Sequence, residues 1–270
     1  MLYMDFAAWL LCMCLIAVAL NAHARFPFLL IANRDEFRQR PTEPLHAWAS
    51  PKGIVAGRDQ RGGGTWLSAS PRGRVAAVTN VRDPSLHRDG PSRGQLPLDY
   101  MLSTPTTEDW LDNLAETDQE RAGYNLLAFE FSNEAIEAWW HSNARTGLRQ
   151  RLGPGIHVLS NGRLNEAWPK CQRLRDAMQA CLRHDSFAAL ESHLLEAMLD
   201  RNGADDALLP DTGVGLQMER ALAPPFIDLE SYGTRSTTLL CLNEQRQLHM
   251  VEYRHQEQPC EERSDHVIAV

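Results

Sequence analysis

Lysine is nearly absent from this chain: Lys52 and Lys170 are the only two among 270 residues. Arginine supplies the remaining positive charge, but the arginines are scattered and form no basic run. With 27 Lys and Arg against 35 Asp and Glu, the formal net charge is −8. Phosphate binding needs clustered cations, so this balance argues against a nucleic-acid partner. There is no CxxC pair and no HExxH, which leaves a zinc site without support. No glycine-rich loop ends in GK[ST], which excludes a P-loop. The six cysteines have no regular spacing and do not read as a disulfide framework, so reduced thiols in a cytoplasm are the simpler expectation. An apolar run of about 20 residues, enough to span a membrane, is also missing.

What is present begins with an apolar stretch from Phe6 to Leu20. It has the length of a signal-peptide core, and Ala22-His23-Ala24 imitates a cleavage site. Against export, Met1 to Asp5 carries no Lys or Arg and ends in an acid. The sequence from Cys14, CLIAVALNAH, a turn-like Ala24-Arg25, then FPFLLIANRDEF, reads instead as two short β-runs joined in a buried hairpin. On this reading residues 1–13 are an upstream extension or a misassigned start, 14–255 form one domain and 256–270 are a polar, frayed tail. Cleavage after Ala24 would remove the first strand of that hairpin.

Further along, Arg38 to Lys52 reads as a loop. Gly53 to Arg58, Thr65 to Ser70 and Gly73 to Val81 read as strands. Ser92 is placed to cap a helix over Leu96 to Leu102, and Thr107 starts another with acids in its first turn. Tyr124 to Phe131 and Ala135 to His141 form a hairpin, and Gly155 to Asn161 a further strand. Trp168 to Arg183 and Ser186 to Asp200 have the three- and four-residue apolar spacing of amphipathic helices. Asn202 to Pro225 is irregular, and Ser236 to Leu242 with Gln247 to Tyr253 makes a closing hairpin. Strands at both ends and in the middle, with helices grouped between, predict a single α+β domain.

Polar clusters sit where apolar runs end. Asn33-Arg34-Asp35-Glu36 follows FLLIA; by itself it reads as a solvated turn with a surface ion pair. Gly57 to Leu67 contains three consecutive glycines, which suit either backbone N–H contact with a ligand or a strained turn. Thr79 to Pro84, Leu159 to Gly162 and Tyr232 to Thr238 each put Asn or Arg at the rim of a β-like run.

Taken in order, Met13-Cys14-Leu15-Ile16, Ala32 to Phe37, Ala56 to Asp59 with Gly63 to Trp66, Ala77 to Pro84, Ser92 to Gly94, Tyr124 to Leu127, Leu159 to Asn161 with Trp168 to Lys170, and Tyr232 to Ser236 resemble the NRDE family. This group includes transport and Golgi organisation protein 2, and the similarity spans nearly all of Cys14 to Tyr253. The family typically begins Met-Cys, which makes Met13-Cys14 resemble the working start. It looks like an outlying relative of the N-terminal nucleophile cysteine hydrolases. The resemblance therefore implies a four-layer αββα sandwich and an N-terminal-cysteine amide (C–N) hydrolase of unspecified substrate.

In such enzymes the thiol attacks an amide carbonyl and the residue's own α-amine is the base. A free α-amine titrates near 7.7–8 and a thiol near 8.5, close enough for the exchange. By resemblance, Cys14 is the nucleophile, Arg34 and Asp35 position its thiol and amine, and Asn161 is an oxyanion donor. Arg235 stabilises charge, and Asn33, Glu36 and Asn80 bind substrate, with Asn80 a second oxyanion donor. The partner expected is a small-molecule substrate, with no nucleic acid, no membrane span and no cofactor. Two other classes compete. One is a non-catalytic carrier or trafficking factor, since eukaryotic relatives are linked to secretory-pathway organisation, lipid metabolism and haem. Haem would then be the cofactor, although no haem motif surrounds any of the ten histidines. The other is a secreted binding protein with residues 1–24 as its signal.

Overall fold

The computed structural model describes residues 13–144, 148–256 and 258–270. The upstream extension and the leader reading fall largely on residues 1–12, outside the described residues. Strands β1 (Met13–Leu20) and β2 (Phe28–Phe37) form the expected antiparallel hairpin, with Ile16 opposite Ala32 and Val18 opposite Leu30. Next come β3 (Thr42–Ala47), β4 (Val55–Asp59), β5 (Leu67–Ser70) and β6 (Arg74–Asn80). Helices α1 (Gln95–Leu102) and α2 (Thr107–Ala115) lead into β7 (Tyr124–Phe131), β8 (Ile136–Ser142), β9 (Leu148–Arg151) and β10 (Gly155–Leu159). After α3 (Pro169–Cys181), α4 (Phe187–Met198) and the short α5 (Leu216–Ala221), the chain closes with β11 (Tyr232–Leu242), β12 (Gln247–Arg254) and β13 (Glu262–Ala269).

The strands make two sheets, ordered β10-β1-β2-β11-β12-β13 and β3-β4-β5-β6-β7-β8-β9. Side-chain alternation sorts the core into three slabs. Ile16, Val18, Phe28 and Leu30 of the first sheet meet Leu67, Val75, Leu127 and Phe129 of the second. The rings of Phe28 and Phe129 meet edge-on at 5.0 Å. On the outer face of the first sheet, Leu15, Ala17, Leu29 and Ile31 pack under Leu174 and Met178 of α3 and Leu190 and Leu194 of α4. On the outer face of the second, Ala76, Val78, Leu126 and Ala128 pack under Leu96 and Tyr100 of α1 and Leu111 of α2. The layers therefore run helix, sheet, sheet, helix: the αββα sandwich. β1 is an interior strand, paired on both sides and buried from Leu15 to Leu20, so loss of residues 1–24 would part β10 from the rest of its sheet.

Several elements depart from the sequence reading. The Arg38 to Lys52 loop contains β3, and the expected frayed tail contains β13, paired along its length with β12. Asn202 to Pro225 is not wholly irregular, because it includes α5. Ser92 does not cap α1; Gly94 occupies that position, and the Ser92 hydroxyl accepts from the Gly94 N–H instead. The Thr106 hydroxyl caps α2 by accepting from Asp109 N–H. Among the described residues no helix is long and apolar enough to cross a membrane.

Candidate active site

The NRDE run is not a turn. It is the last part of β2, and alternation divides it between two compartments. Phe28, Leu30 and Ala32 face the other sheet while Leu29 and Ile31 face the helices. Arg34 and Glu36 continue the inner row, and Asn33 and Asp35 the outer row. On β1, Cys14 belongs to the inner row with Ile16 and lies directly across from Arg34. On the other side of β2, β11 bulges between Thr234 and Ser236, and the bulged residue is Arg235.

Cys14 borders a pocket of about 90 Å³ between the sheet ends, walled by Arg34, Asp35, Glu36, Arg40, Asp59, Thr65, Trp66, Val78, Asn80 and Ser92 to Gly94. The Arg34 guanidinium lies 4.4 Å from the Trp66 ring centroid, and its Nη2 donates to Glu36 Oε2 at 3.5 Å. Its Nη1 is buried without a partner. Arg40 grips Asp59 through Nε at 2.8 Å and Nη2 at 2.6 Å. Burial works against the Asp59 charge, yet the hydrogen bonds from Arg40 and from Gly62 N–H hold its carboxyl below the usual range.

The three-glycine run resolves as a turn. Its N–H groups at Gly62 and Gly63 go to Asp59 Oδ1 and Asp59 O. Gly63 has φ +73°, and a Cβ on Gly64 would come within 2.2 Å of Gly94 O. Glycine lets this turn press against the start of α1 and close the pocket wall.

Cys14 keeps a little surface open to the pocket although protein surrounds its thiol densely. Burial, with Asp35 adding to it against Arg34, pushes this thiol up to about 12 while the chain continues upstream. The five described cysteines are all free.

The outer row holds the other charges. Asn33 is fully buried; its Nδ2 donates to Met198 O and Pro225 O, both at 2.9 Å, and its Oδ1 accepts from Thr237 at 2.6 Å. Expected to bind substrate, it instead straps β2 to the end of α4 and to the segment before β11. Asp35 accepts from Thr234 Oγ1 at 2.6 Å, and its Oδ2 has no partner. Burial, opposed chiefly by Lys170, pushes its carboxyl up to about 6. Lys170, at the second position of α3, is buried and donates to Leu222 O at 3.2 Å. Burial and then Arg82 depress its ammonium to about 8. Arg82 is ion-paired with Glu219 and stacks 4.7 Å from the Trp168 ring centroid.

The two asparagines change places relative to expectation. Asn161 spends its Nδ2 on Asn80 O at 3.0 Å and lines a separate, larger pocket of about 610 Å³ with Arg82, Trp140 and Trp168. Asn80 borders the Cys14 pocket, and its Nδ2 is buried without a partner. The neighbouring Ser160 hydroxyl donates to Cys14 O at 3.1 Å, tying the end of β10 to β1. Arg235 donates to Phe37 O at 2.7 Å and Arg40 O at 3.3 Å, so it braces the end of β2 and does not line the Cys14 pocket. The structure thus brings Cys14, Arg34, Asp35, Glu36 and Asn80 to one pocket and sets Asn33, Asn161 and Arg235 behind it.

Sequence reasoning assigned no role to Trp66 or Lys170. The available signal was Lys170 itself, one of two lysines, in a helix's first turn where the dipole disfavours a cation. Among the described residues no group of three or more His, Cys, Asp or Glu is arranged to hold a metal ion.

Comparison with known proteins places these features in a wider set. The family described as Transport and Golgi organisation 2 matches residues 13–257. The chain is 30% identical over 233 residues to the Transport and Golgi organization protein 2 homolog of Bos taurus, covering 81% of this chain and 83% of that protein. It is 28% identical over 230 residues to the Homo sapiens homolog, with coverage of 81% and 83%. It is 22% identical over 252 residues to Transport and Golgi organization protein 2 of Drosophila melanogaster, with coverage of 84% and 86%. Among solved structures, it is similar to the Caenorhabditis elegans N-acylethanolamine-hydrolyzing acid amidase ortholog, with TM-score 0.41 and 10% identity, covering 84% of this chain and 92% of that one.

Proposed function

The chain belongs to the Transport and Golgi organisation 2 family, and on that footing we propose that it is a hydrolase of a small amide, with Cys14 as an N-terminal nucleophile. The observation that carries this reading is one pocket lined by Cys14 and by two residues that each hold a buried N–H donor without a partner, Arg34 through Nη1 and Asn80 through Nδ2. An orphaned buried donor is costly, and two beside a nucleophile suit an oxygen that becomes negative during reaction. At about 90 Å³ the pocket takes the volume of about three waters, room for the scissile group.

Removal of the residues before Cys14 frees its α-amine. The amine takes the thiol proton, and the sulfur forms a bond to the amide carbon as the carbonyl π pair moves onto oxygen. Asn80 and Arg34 donate to that oxyanion. Its collapse breaks the C–N bond, and the leaving amine takes the proton held on the α-ammonium. Water then attacks the thioester, giving a proton to the α-amine; the acid leaves and the thiol is restored.

A second reading applies to a chain that keeps Met13 as the first residue of β1, peptide-bonded to Cys14. There, Cys14 has no amine and burial pushes its thiol up to about 12, which suits a site that binds without cleaving, as a carrier would. Intact mass and N-terminal sequencing of the protein made from its native start region separate the two. A mature N-terminus at Cys14, with covalent capture of an electrophilic amide analogue that is lost in Cys14→Ala, supports the hydrolase. A retained upstream segment with no capture overturns it in favour of the carrier.

A further inference from the structure

Asp35 and Lys170 form an unusual pair of buried charges. Both belong to the side of β1–β2 that faces α3. The lysine is 2% exposed and shares the buried face of α3 with Cys171, Leu174 and Met178, which covers the outer row of β1 and β2. Asp35 is also 2% exposed and ends that same outer row. They make no direct ion pair. Asp35 offers Oδ2 to nothing, and Lys170, with three donors to place, has one hydrogen bond, to Leu222 O. The chain carries only one other lysine, so burying this one is not a by-product of a lysine-rich surface.

Strand register indicates what the open oxygen can serve. Met13 is the cross-strand partner of Asp35, and Cys14 that of Arg34. The peptide nitrogen joining Met13 to Cys14 therefore runs beside Asp35. When that bond is cut, the nitrogen becomes the Cys14 α-ammonium next to a carboxylate with one unfilled oxygen.

We infer that Lys170 is a positioning residue: from the helix side of the sheet it keeps Asp35 charged, and charged Asp35 holds the α-ammonium of a liberated Cys14. This rests on the amide-hydrolase reading for its purpose, while the coupling itself can be measured in the intact chain. Other charges bear on the pair and belong in the account. Arg82, held by Glu219, opposes the charge on Lys170 and supports that on Asp35; Arg34 supports Asp35 from β2; negative charge on Cys14 or Cys171 would favour the charge on Lys170. Lys170 is the largest of the charged influences on Asp35, and burial, which works against both charges, makes each sensitive to losing the other.

The coupling is reciprocal, so it can be read from either end. With lysine labelled at Cε and Nζ, the full chain gives NMR signals from Lys52 and Lys170 alone, which Lys52→Arg assigns. In Asp35→Asn, a near-isosteric change, the Lys170 midpoint should fall by about one pH unit or more. In Lys170→Met the midpoint of the Asp35 carboxyl carbon should rise by a similar amount, and Lys170→Arg should return it. In protein beginning at Cys14, the acid limb of Cys14 alkylation should move to higher pH in Lys170→Met, with no such move in the Asp35→Asn background. An unmoved Lys170 midpoint in Asp35→Asn overturns the inference even if amides are cleaved. A moved midpoint in protein that is never processed and captures no amide keeps the coupling and removes the hydrolase.

Discussion

Cys14 and Arg34 are direct cross-strand neighbours on the inner face of the first sheet, with the guanidinium stacked on Trp66. A cation fixed at this spot favours the thiolate, and it is held there by a ring and by Glu36 as much as by its own strand.

Replacing Arg34 with Met should therefore do two things. It removes one cation from the buried Glu36, leaving Arg40 at 3.5 Å, and should cost about 3 kcal/mol in urea denaturation. It should also slow Cys14 alkylation at fixed pH. Unchanged alkylation in a folded variant would show that Arg34 is only structural.

Asn80 and Asn161 should separate cleanly. Asn80→Ala removes a donor bonded to nothing in the free protein, so stability should barely change while acylation of Cys14 falls by about 100-fold or more. Asn161→Ala breaks the bond to Asn80 O and should cost about 1–3 kcal/mol of stability. The reverse pattern, measured by stopped-flow acylation and urea melts, would return the oxyanion role to Asn161.

Acid behaviour should carry two contributions that pull in opposite directions, one from His255 and one from Asp35. His255 is buried between Thr237, at 2.9 Å, and Cys260 N–H, which donates to its Nδ1 at 2.8 Å. Burial, helped by Arg201, lowers its pKa to about 4. Between about 4 and 6.5 the unfolded state holds more protons at this group, so its contribution to stability, about 3 kcal/mol, is lost as pH falls through that window. Asp35, pushed up to about 6, works the other way: the folded state holds the extra proton between about 4 and 6, and acidification stabilises. His255→Asn should thus gain stability relative to wild type between pH 7 and 4.5, and Asp35→Asn should lose it. Parallel pH profiles for all three proteins in urea titrations would remove both assignments.

Stopping the chain after Glu261 removes β13 and unpairs β12 from Gln247 to Arg254. The burial of Ile268 alone is worth about 1.5–3 kcal/mol, and a bare strand edge invites pairing with another chain. A lower melting temperature and concentration-dependent association by light scattering are expected. A truncated chain as stable as the full one would show that β13 contributes nothing.

How much of this was legible in the sequence follows from where each element lies. β1, β2, β6, β7 and β11 are interior strands, and their apolar runs gave them away. The sheet edges are β3, β9, β10 and β13, and of these only β10, Gly-Ile-His-Val-Leu, is apolar enough to have been read as a strand. Edges carry polar residues to discourage further pairing, so Thr42-Glu43-Pro44 and Glu262 to Asp265 read as loop and tail. α3 and α4 were visible from spacing. At the site, the resemblance picked out Cys14, Arg34 and Asp35, but only three-dimensional packing distinguishes Asn80, with a bare donor, from Asn161, whose amide is spent. For Lys170 the sequence offered only its odd place in a helix's first turn; its burial and its hydrogen bond to Leu222 O depend on a segment distant in sequence.

The alternation along β2 also limits how this chain can change in length. Arg34 and Asp35 are neighbours in sequence, and their side chains leave opposite faces of the sheet. Insertion or deletion of one residue within Phe28–Phe37, carried through to the strand's end, would turn Arg34 toward the helices and Asp35 toward the sheet interface, exchanging every apolar contact on the way. The loops around this strand can be lengthened residue by residue; the strand itself can vary only by substitution, or in steps of two.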